Sequence, residues 1–311
     1  QQNYNVSVSG GSQNTTYMVS AGYFDQGSNY VGPDYGVTRY NFRTNISTEY
    51  KRIKVTALLS YNRSDSKNTV DGNAIVDAYR TPLYYYLRQQ DPGTGKYLIN
   101  EYITEGTSLG LLQDGGYDWN NNDYINANLS AEVKIIEGLK LRGVLGADIY
   151  ANHRYTRTFS VPFYNRNDIN GEPRINNPER RSEDWDEKSW LINSQIMLDY
   201  DRTFAEKHHV YAMVGASNES YTRQGNQLKI LYVDEDLGIK GDGSELDPTG
   251  SYLTPESTTR TSLTSVFGRV GYDYSSKYFI EATFRYDGSS KFDRQYRWGF
   301  FPSISAGWAI S

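Results

Sequence analysis

The sequence has no cysteine, which excludes disulfides and thiolate metal ligation together. It also lacks any apolar run approaching the roughly eighteen residues that a membrane-crossing helix needs. Its mean hydropathy of -0.70 would ordinarily place it in water. Histidine is scarce, with His153, His208 and His209 the only three, and no spacing among them matches a zinc motif such as H-E-x-x-H, so they are expected to be solvated side chains. Positive charge is in deficit: the formal net charge is -5, which argues against a nucleic-acid partner that would want a clustered basic surface. Nothing resembling a Pro/Ser linker interrupts the chain, so a single unit spanning residues 1–311 is expected. No leader segment is visible either. The chain opens Gln1-Gln2-Asn3-Tyr4-Asn5, as a processed chain or a fragment would.

What the sequence does have is strict alternation. From Thr16 to Asp25, Tyr17, Val19, Ala21 and Tyr23 share one side, while Thr16, Met18, Ser20 and Gly22 share the other, the period of two that a strand imposes. Tyr40, Phe42 and Ile46 oppose Asn41, Arg43 and Asn45. Ile125, Leu129 and Val133 oppose Asn126, Asn128 and Glu132. Leu141, Leu145 and Ile149 oppose Arg142 and Asp148, and the pattern returns near the C-terminus with Ile280, Phe284 and Tyr286. The low hydropathy is what such strands give when one side of each meets lipid and the other meets water.

Eleven strands are expected, near 3–10, 16–25, 39–50, 53–63, 122–133, 139–155, 189–200, 209–224, 262–274, 278–286 and 300–310. Short connections at 11–15, 51–52, 134–138, 201–208 and 275–277 alternate with long ones at 26–38, 64–121, 156–188, 225–261 and 287–299. Short turns on one side of a membrane and long loops on the other are the habit of outer-membrane barrels. The 29 tyrosines strengthen that reading, since Tyr40, Tyr50, Tyr61, Tyr200, Tyr274, Tyr278 and Tyr286 fall near strand ends, where amphipathic rings form interfacial girdles. The fold class expected is therefore all-β, an antiparallel transmembrane β-barrel. Single-chain bacterial barrels have even strand numbers, so eleven points to part of a larger one.

Candidate chemistry is sparse. Ser64-Asp65-Ser66-Lys67 matches S-x-x-K, but the companion S-D-N and K-T-G elements are absent, so the match carries no nucleophile. Acidic residues gather at Asp234, Glu235 and Asp236, and again at Asp242, Glu245 and Asp247. That density would admit a structural calcium ion in a loop, although the spacing departs from an EF-hand, and a solvated acidic loop is the plainer reading. No other cofactor is expected, and no residue pair stands out as a catalytic couple. The ligand-binding candidates are loop aromatics and a neighbouring cation: Tyr84, Tyr85, Tyr86 and Arg88, then Tyr117 and Trp119, then Trp185. Flat rings flanked by polar groups suit a sugar or peptide face; packing within the loops or a place in the outer aromatic girdle is the alternative. The segment from Ala74 to Arg80, followed by Pro82, is expected to form a short helix that orders the longest loop.

Toward the C-terminus the sequence resembles a known family. Ser265-Val266-Phe267-Gly268-Arg269-Val270-Gly271-Tyr272, then Tyr278 to Phe292 with its Tyr286-Asp287-Gly288-Ser289-Ser290, then Trp298-Gly299-Phe300-Phe301-Pro302-Ser303-Ile304-Ser305-Ala306-Gly307-Trp308, resemble the barrel of SusC/RagA-like TonB-dependent transporters. Val6 to Gly11, Tyr17 to Tyr23, Arg39 to Asn45 and the turn Glu137-Gly138 agree with it. The resemblance implies about half of a 22-stranded plugged barrel, with the signal sequence, plug and C-terminal strands outside residues 1–311. It implies a non-enzymatic role: import of a bulky nutrient, an oligosaccharide or peptide, through the outer membrane. A SusD-like surface lipoprotein would cap the long loops, and TonB-ExbB-ExbD would act through the plug. Two alternatives remain at this point: a siderophore or cobalamin receptor of the same fold, and a soluble all-β glycan-binding protein or enzyme.

Overall fold

The computed structural model describes residues 1–70, 72, 76, 80, 82, 88–100, 105–176, 180–232 and 252–310. It contains one eleven-stranded antiparallel sheet in which every neighbour is also the next long strand in sequence. These strands are β1 (Gln2–Gly11), β2 (Thr15–Gly27), β3 (Gly36–Tyr50), β4 (Ile53–Asn68), β7 (Gly116–Ile136), β8 (Leu139–Thr158), β11 (Arg180–Phe204), β12 (His208–Tyr232), β13 (Tyr252–Tyr274), β14 (Tyr278–Ser289) and β15 (Trp298–Trp308). Short pieces sit in the connections: β5 (Ile99–Asn100), β6 (Glu105–Gly106), β9 (Val161–Phe163), β10 (Arg174–Asn176) and a helix α1 (Ser108–Asp114).

All eleven expected strands are present, and several are much longer than expected. β11 and β12 each run 25 residues, well beyond the 9–11 or so that cross a hydrocarbon core. The extra length falls on segments such as Arg180-Arg181-Ser182-Glu183-Asp184, which are polar on both sides and so show no alternation. Backbone groups still gain by pairing there, since each unpaired N–H or C=O is a lost hydrogen bond. Parts of the expected long loops are therefore strand, and the connections shrink to match. The turn between β7 and β8 is only Glu137-Gly138; Gly138 has φ +81°, a conformation that strains any residue with a Cβ. Of the expected helix at 74–80, Val76 and Arg80 are helical; the residues between them lie outside those described.

The sheet is inverted relative to a water-soluble protein. Its exposed large side chains include Val6, Val19, Phe42, Leu59, Leu129, Leu145, Ile196, Val214, Val266, Ile280 and Ile304, all on one face. The band they form is tilted against the strands. One cross-strand row runs Val8, Val19, Thr44, Leu59, Ala127, Ala147, Ile192, Ser220, Ser262. It begins apolar at β1 and ends polar at β13, where the apolar residues lie closer to the short turns. Such a slide, about one residue per strand, is the stagger of a barrel wall whose strands tilt against its axis.

The well-buried apolar residues lie mostly off the sheet. Tyr35, Leu98, Leu112, Val161 and Phe163 pack together on the long-loop side, with Phe163 fully buried. The Tyr35 hydroxyl donates to the carbonyls of Leu112 (2.8 Å) and Gly116 (3.0 Å), tying the β2–β3 connection to the one after β4. The Tyr97 hydroxyl donates to Asp114 at 2.7 Å, and the Tyr97 and Phe163 rings leave no room for a side chain at Gly110.

Candidate functional site

The face opposite the apolar band is mostly polar, with aliphatic residues such as Leu58, Val144 and Leu191 among the polar ones, and one row along it joins two hollows. The row runs Asn5, Gly22, Asn41, Asn62, Tyr124, Tyr150, Ser189, Arg223, Thr259. At its β1–β4 end is a trough of about 550 Å³ lined by the side chains of Asn5, Asn41, Arg43, Asn45 and Asn62. Mid-row, the Tyr124 and Tyr150 rings lie 4.7 Å apart. The Tyr150 hydroxyl and the Asn152 amide each donate to the Asn122 Oδ1 at 2.9 Å.

At the other end, between β11, β12 and β13, a pocket of about 210 Å³ is lined by Trp185, Glu187, Arg223, Gln227, Ser257 and Thr259. The Arg223 guanidinium donates to Glu187 at 2.6 Å. That hydrogen bond and the carboxylate's charge hold the Arg223 pKa above its ordinary value. The pocket has a structural cause. The β12–β13 register shifts between Gly225 and Gln227, opposite Pro255, whose missing N–H is tolerated at a bulge. An indole face, a fixed ion pair, an amide and two hydroxyls can orient a ring-shaped or amide-bearing guest by stacking and hydrogen bonds.

No family model matches the chain. Among curated proteins, "TonB-dependent receptor P39" of Formosa agariphila is 27% identical over 318 residues, covering 99% of this chain and 28% of that protein. "TonB-dependent receptor SusC" of Bacteroides thetaiotaomicron is 26% identical over 335 residues, covering 99% of this chain and 31% of that one. The RagAB peptide importer in its open-open state matches with a TM-score of 0.74 at 20% identity over 98% of this chain and 33% of its own; its closed-closed state gives 0.71. The chain is similar to SusC/RagA-like TonB-dependent receptors over nearly its whole length. It spans about 30% of the length of the curated relatives it matches, and its sheet corresponds to part of their barrel. Receptors of this type reside in Gram-negative outer membranes, so the apolar face is the lipid face and the polar one faces the lumen.

In this SusC/RagA-like wall the C-terminal signature has a packing logic. The Trp298 indole lies over Gly288, where a Cβ would come within 2.7 Å of it, and stacks on Tyr286 at 4.8 Å. Arg285, on the lumen face, is paired with Asp287 at 2.7 Å and donates to the fully buried Ser265 at 2.9 Å.

The expected ligand residues are not brought together. Trp185 lines the lumenal pocket. Tyr117 and Trp119 share the face of Ile125 and Leu129, above the lipid band and away from the lumen; Lys67 lies over the Tyr117 ring at 5.3 Å. All three are strand residues rather than loop residues, because pairing continues past the membrane. Arg88 is exposed in the connection before β5. Tyr84, Tyr85 and Tyr86 lie outside the described residues, as do Asp234, Asp236, Asp242 and Asp247.

The histidines also differ from expectation, none being merely solvated. His209 sits between Asp201 (3.0 Å) and Asp273 (3.2 Å) at the start of β12, and His208 contacts the Tyr272 hydroxyl at 2.7 Å. His153 meets Asp184 at 3.0 Å across the β8–β11 pairing. Glu187, Arg223 and the tyrosine pair were also missed. Their only sequence signal is a polar residue at the lumen parity of a strand, and many positions share it.

Proposed function

We propose that residues 1–311 form part of the barrel wall of a TonB-dependent importer that carries a bulky nutrient, a peptide or an oligosaccharide, across the outer membrane. A plug domain and further strands would lie elsewhere in the full receptor, in keeping with relatives more than three times as long. The observation that carries the reading is the two-faced sheet itself: an unbroken apolar band on one side, and on the other a polar row ending in the Trp185–Glu187–Arg223 pocket. The ordered loop cluster around Phe163 would serve as the seat for a SusD-like lipoprotein, and TonB-ExbB-ExbD would act through the plug. Within the site, Trp185 would stack on the guest while Arg223 and Gln227 fix its polar groups.

The test is uptake by a receptor-deletion strain offered labelled peptides, oligosaccharides and metal chelates. The reading expects uptake of one peptide or oligosaccharide class to vanish and to return with the wild-type gene. W185A should restore it with a Kd raised roughly tenfold, the loss of one stacking contact of about 1.5 kcal/mol. Loss of metal-chelate uptake alone would overturn the cargo assignment.

A further inference from the structure

Three metal-ligating side chains converge outside the lumen, on the lipid-side face of the strands above the apolar band. The β8–β11 register sets His153 directly opposite Asp186, and Asp184 faces the same side one diagonal step away. One ligand atom from each of His153, Asp184 and Asp186 can be chosen so that all lie within 4.8 Å of one another. Ligands around a tetrahedral ion at about 2.0–2.2 Å are themselves roughly 3.4 Å apart, so small side-chain rotations close the set. A separate observation concerns the same row. Asn121, on β7, lies directly opposite His153, and its Oδ1 is a buried oxygen with no hydrogen-bond donor. Buried polar atoms of that kind are uncommon and ask for a partner.

We propose that His153, Asp184 and Asp186 bind a divalent first-row cation, with the unpartnered Asn121 oxygen, across the strand pair from His153, available as a further ligand. The donors choose the ion class. Calcium and magnesium take oxygen shells, whereas imidazole combined with carboxylate suits zinc or manganese, and of these zinc binds more tightly to a given nitrogen-oxygen site. Two carboxylates balance the charge of the ion. The bond network would join β8 to β11 where both strands run beyond the apolar band, next to the Tyr117–Tyr155 ring pair on the same face. The site therefore acts as a clamp on the strand extension and plays no part in the cargo pocket, which opens on the opposite face.

The test uses the full receptor in detergent, stripped with chelator and then titrated with Zn²⁺, with bound metal counted by mass spectrometry and the melting temperature followed. Wild type is expected to bind one more Zn²⁺ per chain than H153A, and its melting temperature to rise with Zn²⁺ but not with Ca²⁺. D186N keeps the size of the side chain and leaves the His153–Asp184 contact in place. It should weaken binding more than tenfold, because second-shell changes alone reach tenfold. Equal Zn²⁺ content and equal melting shifts in wild type, H153A and D186N would overturn the proposal and leave His153–Asp184 as a plain hydrogen-bonded contact.

Discussion

Trp298 is one of three rings that pair across β14 and β15, beside Phe300 on Phe284 and Trp308 on Tyr278. It fills the space over Gly288 and stacks on Tyr286, supplying surface that the glycine lacks, a device that recurs where Tyr211 covers Gly271 and Phe284 covers Gly268. Stacked pairs contribute about 0.5–1.5 kcal/mol beyond area burial. W298A should therefore destabilise the folded receptor by about 1 kcal/mol in urea titrations from lipid vesicles, while W298F keeps most of the stability; equal losses would place the effect in something other than ring stacking. A second residue-scale prediction concerns pH. Asp91 accepts the Thr94 hydroxyl (2.8 Å), the Thr94 N–H (2.8 Å) and the Gly93 N–H (3.2 Å), and these bonds, the hydroxyl's first, lower its pKa. A depressed carboxylate stabilises its turn above the ordinary pKa and loses that contribution as pH falls through the lowered value. Hydrogen-exchange protection of the Gly93 and Thr94 amides, corrected for the intrinsic rate, should fall over the acid range below pH 4 or so, and D91A should lack it at every pH.

At the scale of elements, alternation revealed which segments cross lipid, because there each strand must offer opposite faces to opposite solvents. Leu141 to Ile149 and Tyr278 to Tyr286 are legible for that reason. Where both faces meet water the signal vanishes, as in Arg180 to Lys188, although the backbone continues to pair with β8 and β12. Trp185 was legible as a ring among polar neighbours, yet its face depends on register counted from Trp190. The partnership of His153 with Asp184 and Asp186 depends on pairing across some thirty residues, which no local spacing reveals. The loop cluster was foreseen as ordered; the expected helix at 74–80 lies mostly outside the described residues, and among those described Tyr35 ties the cluster to Leu112 and Gly116. Y35F removes the hydroxyl that reaches Leu112 and Gly116 and should cost about 1–3 kcal/mol of loop docking. Hydrogen exchange would show it as faster exchange at residues 108–115 with β7 unchanged beyond Asn120; slow exchange in both proteins would show that the apolar packing suffices.

For the whole molecule, one fact organises the rest: the large apolar side chains are outside. With Leu145, Ile196 and Ile304 exposed on one face and Asn126, Asp148 and Asn193 on the other, the sheet is stable only between lipid and a wet interior. Residues 1–311 contain no cysteine, so an introduced thiol is the one site of labelling within this stretch. Single cysteines placed in turn from Leu141 to Ile149, spin-labelled in the receptor inserted in a bilayer, report collisions with oxygen, which concentrates in lipid, and with a water-soluble nickel chelate. The account predicts a period of two, with oxygen favoured at Leu141, Leu145 and Ile149 and the nickel chelate favoured at Arg142, Gly146 and Asp148. Uniform access to the nickel chelate along the strand, with no alternation, would contradict it.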